Sequence, residues 1–319
     1  MSTTSTTADP LVRLGRWITT LTERSPITNT YALTRSLLAA GSLITLLANP
    51  TGILFMPQSN APMPPRCGGV SDISVYCVAP SIGWGKWISV LVLLAVLSGY
   101  FPRLTAIPHW WVSFSFQASA SVLDGGDQVT AVLSAILIPI ALCDGRRNHW
   151  SDNRDTTTDP GERARAARLI AWVAVGVVRI QASMLYLQAG IAKLGVPEWA
   201  NGTAMYYWMN DPMFGAPPWA TWILQPLLHN GLTVALFTWS VVFVEVVFAA
   251  GLVAPKKWWR PILLVAVVFH AGIALTMGLV SFACAMIALD VLFLHPADKN
   301  VSTALPRRLV SRLRRATAR

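Results

Sequence analysis

The feature that most restricts the fold of this chain is a series of long segments that carry almost no charge. Several run for about 16 to 24 residues, and a helix needs about 20 apolar residues to cross the hydrocarbon core of a bilayer. Only 13% of the residues are charged, whereas soluble domains carry about 25%. We therefore predict an all-α, polytopic transmembrane helical bundle.

Eight segments have this character. The predicted spans, numbered 1 to 8 in chain order, cover residues 30–47, 86–101, 107–122, 128–142, 168–193, 232–253, 262–277 and 281–294. Spans 3, 7 and 8 are short, and a re-entrant pair would give a similar pattern at spans 7 and 8. The predicted organisation is a polar cytoplasmic N-terminal segment, a transmembrane helical domain and a basic cytoplasmic tail, over 1–29, 30–295 and 296–319.

The basic residues lie mostly on one predicted side of the membrane. With the N-terminus inside, the inner segments include the six arginines between 146 and 168, and the outer loops hold only Arg66, Lys86 and, at a span end, Lys193. This asymmetry follows the positive-inside rule. We therefore expect eight spans with both termini on the inner side.

The net charge of +10 is explained by this placement, and no recognition motif accompanies it, so we expect no nucleic-acid partner. The tail segment "PRRLVSRLRR" places Leu309 and Leu313 four residues apart among arginines. It is either a short amphipathic helix on the anionic lipids of the inner leaflet or a positive-inside tail with no further role.

Two of the four cysteines lie in the predicted outer loop at 50–85. Cys67 and Cys77 belong to the segment "RCGGVSDISVYC", and disulfides persist on the outer side. We predict a Cys67–Cys77 disulfide; the alternative is two free thiols. The spacing is not the CxxC of redox-active pairs. Cys143 and Cys284 lie in or beside spans and are typical of small packing residues.

Span 5 carries most of the polar residues within the predicted membrane. Arg179, Tyr186 and Lys193 are seven residues apart and share one face of the helix. Gln181 and Gln188 are also seven apart and lie on roughly the opposite face. A helix that is polar on two sides is a poor surface for lipid, so we expect span 5 to be central or to line a wet cavity.

Few acidic residues are placed to neutralise these cations. Glu245 lies near the middle of span 6, Asp290 lies in span 8, and Asp124 and Asp127 flank a Gly-Gly pair before span 4. Because a lone arginine at the centre of a membrane costs about 2.5–3.5 kcal/mol, we expect Arg179 to pair with Glu245. The pair is equally compatible with a structural and a functional role.

Lys193 admits two interpretations. A lysine near the interface can extend its ammonium group to water and act as an anchor. Alternatively, it is a base or an anion clamp, which the aromatic segment with Trp199, Thr203 and Tyr207 behind it favours. His270 in span 7 is a second candidate acid or base, or a hydrogen-bonded packing residue.

Lys193 and His270 are therefore the candidate catalytic residues. The candidate substrate-binding residues are Arg179, Tyr186, Gln188, Trp199, Thr203, Tyr207, Glu245 and Asp127. No His, Cys or carboxylate spacing indicates a metal site, so we predict no metal.

The segments "YLQAGIAKL" and "EWANGTAMYYW", at 186–194 and 198–208, resemble the signature of HTTM-domain membrane proteins. That group includes the vitamin K-dependent gamma-glutamyl carboxylases and bacterial relatives. The chain resembles the SdpB family more closely, also through "DGGDQVTAVLSAILIPIALCDGRRNHW" at 124–150 and "FHAGIALTMGLVSFACAMIALDVLFL" at 269–294.

The resemblance implies both roles and partners. In the carboxylases, the lysine of the matching segment is regarded as the base that deprotonates the reduced vitamin, and Lys193 stands at that place. The SdpB resemblance implies maturation or export of a secreted antimicrobial peptide toxin in the bacterial cytoplasmic membrane. The implied partners are the toxin precursor and a small accessory maturation protein.

Three hypotheses remain at this point. The first is a membrane factor for maturation or export of a peptide toxin. The second is a quinone-linked membrane enzyme that uses a reduced quinone among spans 5 to 8. The third is a transporter or a toxin-immunity protein that binds the peptide without changing it.

Overall fold

The computed structural model describes residues 10–59, 63–151, 161–212 and 214–301. Within these ranges the chain forms fourteen α-helices, α1 to α14 in chain order. Their bounds are Pro10–Thr22, Asn29–Ala48, Thr51–Leu54, Val75–Val78, Ile82–Leu97, Pro102–Ser119, Gly125–Cys143, Glu162–Leu194, Pro197–Ala200, Ala204–Met209, Pro218–Leu228, Gly231–Ala250, Trp259–Met277 and Val280–Leu294. The predicted amphipathic segment around Leu309 and Leu313 lies outside the described residues.

The protein is an all-helical membrane protein. Five helical segments are long and apolar enough to cross a membrane: Asn29–Ala48, Gly125–Cys143, Glu162–Leu194, Gly231–Ala250 and Lys256–Met277. The helices α5 and α14 are apolar but shorter, with 16 and 15 residues. Each of the eight predicted spans coincides with a helix, while their number as membrane crossings stays a prediction.

The N-terminal segment contains a helix that the sequence analysis did not predict. In α1, Leu11, Leu14, Ile18 and Leu21 recur at the three- and four-residue spacing of one helix face. The chain after α1 is held by Arg168 of α8, whose Nη1 donates to the carbonyl oxygens of residues 22 and 23 at 3.1 and 3.0 Å.

The helix α14 lies at the centre of the bundle. It packs against α2, α7, α8 and α13, and the run 288–294 along it is almost completely buried. The side chains along this run are contacted from several neighbouring helices at once. Its C-terminal half therefore places Asp290 inside the protein.

The helix α8 is apolar on one side and closely packed on the other. Small residues such as Ala174, Ala182 and Gly190 are buried, while Val173 and Ile191 are exposed. Gly190 faces α12 with little room to spare: a Cβ atom there would lie in van der Waals contact, 3.4 Å from Val246 Cγ2. The helix therefore borders the cavity described below on one side without being enclosed by neighbours.

The first turn of α7 is fixed by a capping box. Asp124 Oδ1 accepts hydrogen bonds from the backbone N–H groups of Gly126 and Asp127 at 2.7 and 3.2 Å, and Asp127 Oδ2 accepts from the Asp124 N–H at 3.0 Å. Asp124 Oδ2 also accepts from Ser281 Oγ at 2.9 Å. Asp127, expected to bind substrate, is thus engaged in holding the helix terminus beside α14.

The loop between α3 and α5 contains the predicted disulfide. Cys67 and Cys77 are joined in the structure, and Cys143 and Cys284 are free. The bridge connects the loop to α4, which packs against α5 and α6. It lies away from the cavity and is a structural feature of this loop.

Candidate functional site

A cavity of about 1120 Å³ lies between α7, α8, α12, α13 and α14. Most of its wall is apolar, with Val132, Leu185, Phe237 and Phe269 among the lining residues. Its polar lining residues are Gln128, Gln181, Tyr186, Gln188, Lys193, Glu245, His270 and Thr276. Ligand sites are typically mostly apolar cavities of about 300–1,000 Å³ with a few polar groups, so this cavity is the candidate site.

Lys193 and Glu245 form an ion pair on the cavity wall. Lys193 Nζ lies 2.7 and 2.8 Å from the two carboxylate oxygens of Glu245 and donates to the Ala189 carbonyl at 3.3 Å. The two side chains are 21% and 10% exposed. Lys193 Nζ also lies 5.2 Å from the centre of the Trp199 ring. Lys193 therefore lies on the cavity wall in an ion pair, and its role as an anchor or as a base stays a prediction.

The expected pairing of Arg179 with Glu245 is wrong. Arg179 Nη2 donates to the His295 carbonyl at 3.2 Å, and the guanidinium lies 4.7 Å from the centre of the Trp259 ring. Arg179 is 14 residues from Lys193, about 21 Å along a helix axis. It lies near the end of α14, where it does not line the cavity.

A second polar group stands on the same cavity wall. The Tyr186 hydroxyl lies 2.6 Å from Asp290 Oδ1 and 2.9 Å from His270 Nε2, and His270 Nε2 is 3.4 Å from Asp290 Oδ2. All three residues are buried. They come from α8, α13 and α14, and the rings of Phe248, Phe269 and Phe282 surround them.

The hydrogen bonds of this group assign the protons. Since Tyr186 has one hydroxyl proton and donates it to Asp290, the contact with His270 makes Nε2 the donor to the tyrosine oxygen. His270 Nδ1 is then an acceptor, and it has no partner among the described residues. From sequence, Asp290 was expected only as a counter-charge; its position in a predicted span was the signal that could have indicated a functional role.

The chain after α8 folds over one end of the cavity. Trp199, Met205, Trp208 and Met209 line it. Gly202, at φ +82°, precedes α10, and a Cβ atom there would lie 3.1 Å from Ala235 Cβ. A residue without a Cβ both adopts this conformation and permits the contact.

The structure brings together only part of the predicted substrate-binding set. Tyr186, Gln188, Trp199 and Glu245 line the cavity with Lys193 and His270, whereas Arg179, Asp127, Thr203 and Tyr207 do not. Thr203 Oγ1 donates to Asn201 Oδ1 at 2.6 Å within a turn, and Tyr207 is exposed. Gln181 also lines the cavity, although it was expected on the opposite helix face.

The part of the chain that the structure describes lacks a set of side chains that could ligate a metal ion. No group of three or more His, Cys, Asp or Glu side chains there could hold a metal ion. The charged and polar groups of the cavity are instead suited to proton transfer and to binding an anion or a carbonyl oxygen.

Comparison with known proteins adds the family. The HTTM domain model matches residues 138–297, the part of the chain that builds most of the cavity. Two relatives come from Bacillus subtilis (strain 168). The uncharacterized protein YitO is 36% identical over 305 residues, covering 94% of this chain and 96% of that protein.

The second relative is the sporulation-delaying protein SdpB, which is 34% identical over 282 residues, covering 87% of this chain and 84% of that protein. No solved structure matches significantly. These matches show that the chain belongs to the HTTM family and is one of its SdpB-like members.

Proposed function

We propose that this protein acts in the maturation or export of a secreted peptide toxin in the bacterial cytoplasmic membrane, and that the cavity is its working site. The observation that carries the proposal is the ion pair of Lys193 and Glu245 on the wall of a mostly apolar cavity. The substrate class is proposed from the resemblance to the SdpB family, which the likeness to a sporulation-delaying protein supports.

The Lys193–Glu245 pair can accept or deliver a proton. Both carboxylate oxygens lie within hydrogen-bond distance of the ammonium group, so a proton can pass to Glu245 and leave a neutral amine. A neutral amine is a general base, and the protonated form binds an anionic or carbonyl oxygen. Trp199 beside the amine limits its access to water.

The second polar group extends the site along α8. Tyr186 and Lys193 are seven residues apart on one helix, about 10 Å along its axis, and Gln188 and Ala189 line the cavity between them. A peptide segment or another elongated molecule that lies along α8 would contact both groups. The hydroxyl and imidazole would then meet one end of it and the ammonium group the other.

We propose a bound toxin precursor and a small accessory maturation protein as the partners. The segment from Trp199 to Met209, which covers one end of the cavity, would contact the bound precursor. The accessory protein is proposed from the family resemblance and has no assigned surface.

A quinone-linked reaction is the second candidate, favoured by the apolar lining and size of the cavity. Phe269, Phe282 and Trp199 would pack against a quinone ring, and Lys193 would hold or remove a proton of its hydroxyl group. A bound reduced quinone would supply the electrons of the reaction. Organic extraction of the purified protein, followed by mass spectrometry, tests for it.

The main test compares strains of the native host. A deletion strain is complemented with wild type, Lys193→Met, Glu245→Gln or the control Lys256→Met, which removes an exposed lysine outside the cavity. Membrane levels are matched by immunoblot, and mass spectrometry follows small peptides in the medium and in cells.

We expect the deletion strain and Lys193→Met to lose a processed or released peptide that wild type and Lys256→Met retain. An unchanged peptide profile in the deletion strain contradicts the proposal. If the deletion strain makes chemically mature peptide but retains it, export is the role and maturation is excluded. If it releases mature peptide but becomes sensitive to it, the immunity hypothesis replaces the proposal.

A further inference from the structure

A second buried polar cluster lies apart from the cavity, around Arg35 of α2. The Arg35 side chain is 1% exposed. Its Nη2 donates to Thr105 Oγ1 at 2.8 Å, while its buried Nη1 has no hydrogen-bond partner among the residues that the structure describes. None of the residues of this cluster lines the large cavity.

No carboxylate neutralises this guanidinium among the residues that the structure describes. Asp144 is the acidic residue of this region, and Arg146 already binds both of its oxygens at 2.8 Å. An arginine keeps its charge inside a protein, and burying an unpaired charge is costly. The positive charge of Arg35 therefore lacks a counter-charge.

Three further buried polar atoms near Arg35 make no well-formed hydrogen bond within the described ranges of the chain. They are Tyr31 Oη of α2, His109 Nε2 of α6 and His149 Nδ1 in the segment after α7. Arg35 acts electrostatically on all three residues, and Tyr31 also interacts directly with the Arg35 side chain. Buried polar atoms are nearly always hydrogen-bonded, so Arg35 and the two histidine nitrogens leave hydrogen-bonding capacity that a bound ligand would satisfy.

His149, which lies outside the helices, adds no second positive charge to the cluster. Burial, together with the charges of Arg35 and Arg146, lowers the pKa of His149 from 6.5 to about 3. The imidazole is therefore neutral at pH 7 and has one N–H to donate. The cluster combines the cation Arg35 with neutral side chains that can donate a hydrogen bond to a ligand.

We propose that this cluster binds a monovalent inorganic anion of about the size of chloride. One negative charge compensates Arg35, and the Arg35, Tyr31, His109 and His149 groups supply hydrogen bonds. A water molecule would satisfy some of these donors but would leave the guanidinium charge uncompensated. The four residues are at most 2% exposed, so the bound anion would be enclosed by protein.

The test uses the full-length protein in detergent, exchanged into sodium gluconate. The thermal unfolding midpoint is followed by tryptophan fluorescence while chloride replaces gluconate at constant ionic strength. A ligand that binds only the folded state raises this midpoint in a saturable manner. We expect this rise for wild type, with bromide acting like chloride.

The variants locate the site. Arg35→Gln should abolish the saturable rise, and Tyr31→Phe should increase the half-saturating chloride concentration about tenfold, as expected for one lost hydrogen bond to a charged group. The control is Arg168→Gln, which removes another buried arginine that donates to backbone carbonyls. It should lower the midpoint and keep the rise.

If Arg35→Gln does not fold, Tyr31→Phe and His149→Ala decide the test. The proposal is overturned if wild type shows no saturable rise, or if Tyr31→Phe and His149→Ala leave the half-saturating concentration unchanged. Crystals grown in bromide give a direct measurement: an anomalous peak beside Arg35 supports the site, and its absence at saturating bromide contradicts it.

Discussion

Lys193 Nζ lies within 2.8 Å of both carboxylate oxygens of Glu245, and this contact joins α8 to α12 at the cavity wall. Removing one member of a mostly buried ion pair leaves the other uncompensated. We expect Lys193→Met and Glu245→Gln each to lower the free energy of unfolding by about 1–3 kcal/mol. Chemical denaturation in detergent measures these changes.

The double variant Lys193→Met/Glu245→Gln provides the control for this pair. Because it leaves neither charge unpaired, it should be more stable than the sum of the single changes predicts, with a coupling energy of about 1 kcal/mol or more. Additive single effects would contradict the pairing seen in the structure.

Gly190 permits the close approach of α8 and α12. A side chain there meets Val246 and Glu245, whose Cβ atom would lie 3.7 Å from an added Cβ. We expect Gly190→Leu to destabilise the protein by about 1–3 kcal/mol, as overpacking does. The matched control is Gly176→Leu on the same helix, where nothing lies within 4 Å; equal losses for both variants would show that packing at Gly190 is not the cause.

Tyr186 holds Asp290 through a short hydrogen bond of 2.6 Å. Tyr186→Phe leaves Asp290 without its hydroxyl donor, and we expect a loss of about 1.5–3 kcal/mol. Asp290→Asn retains an oxygen that can accept from Tyr186 and should cost less. Thermal unfolding of both variants tests the order, and a larger loss for Asp290→Asn would contradict the assigned hydrogen-bond direction.

The Cys67–Cys77 bridge predicts a labelling pattern. The chain has four cysteines, so the denatured, unreduced protein should take up two alkyl groups, at Cys143 and Cys284, and four after reduction. Intact-mass spectrometry measures both states. Four labels before reduction would show that the bridge does not form.

The positions of the helices could be predicted from sequence because charge-poor runs mark them directly. The partner of Glu245 could not be predicted, since helical periodicity shows on which face of a helix a side chain lies but not which residue of a neighbouring helix it meets. Arg179 and Lys193 share a predicted face and lie about 21 Å apart along the helix axis. Which of them meets Glu245 depends on where Glu245 lies along α8, and the sequence does not give that position.

Other parts of the site depended on contacts that no local pattern encodes. Thr203 and Tyr207 follow Lys193 closely in sequence, yet a turn directs Thr203 to Asn201 and leaves Tyr207 exposed. Tyr186, His270 and Asp290 meet from three helices. Arg35 was overlooked, although an arginine within a predicted span is itself a signal of an unusual site.

The helix α8 runs for 33 residues without interruption, about 50 Å at 1.5 Å per residue, which exceeds the hydrocarbon thickness of about 30 Å. One end carries Lys193 and the other carries Arg168, which holds the chain behind α1. One continuous helix therefore connects the cavity at Lys193 to the segment behind α1 that Arg168 holds.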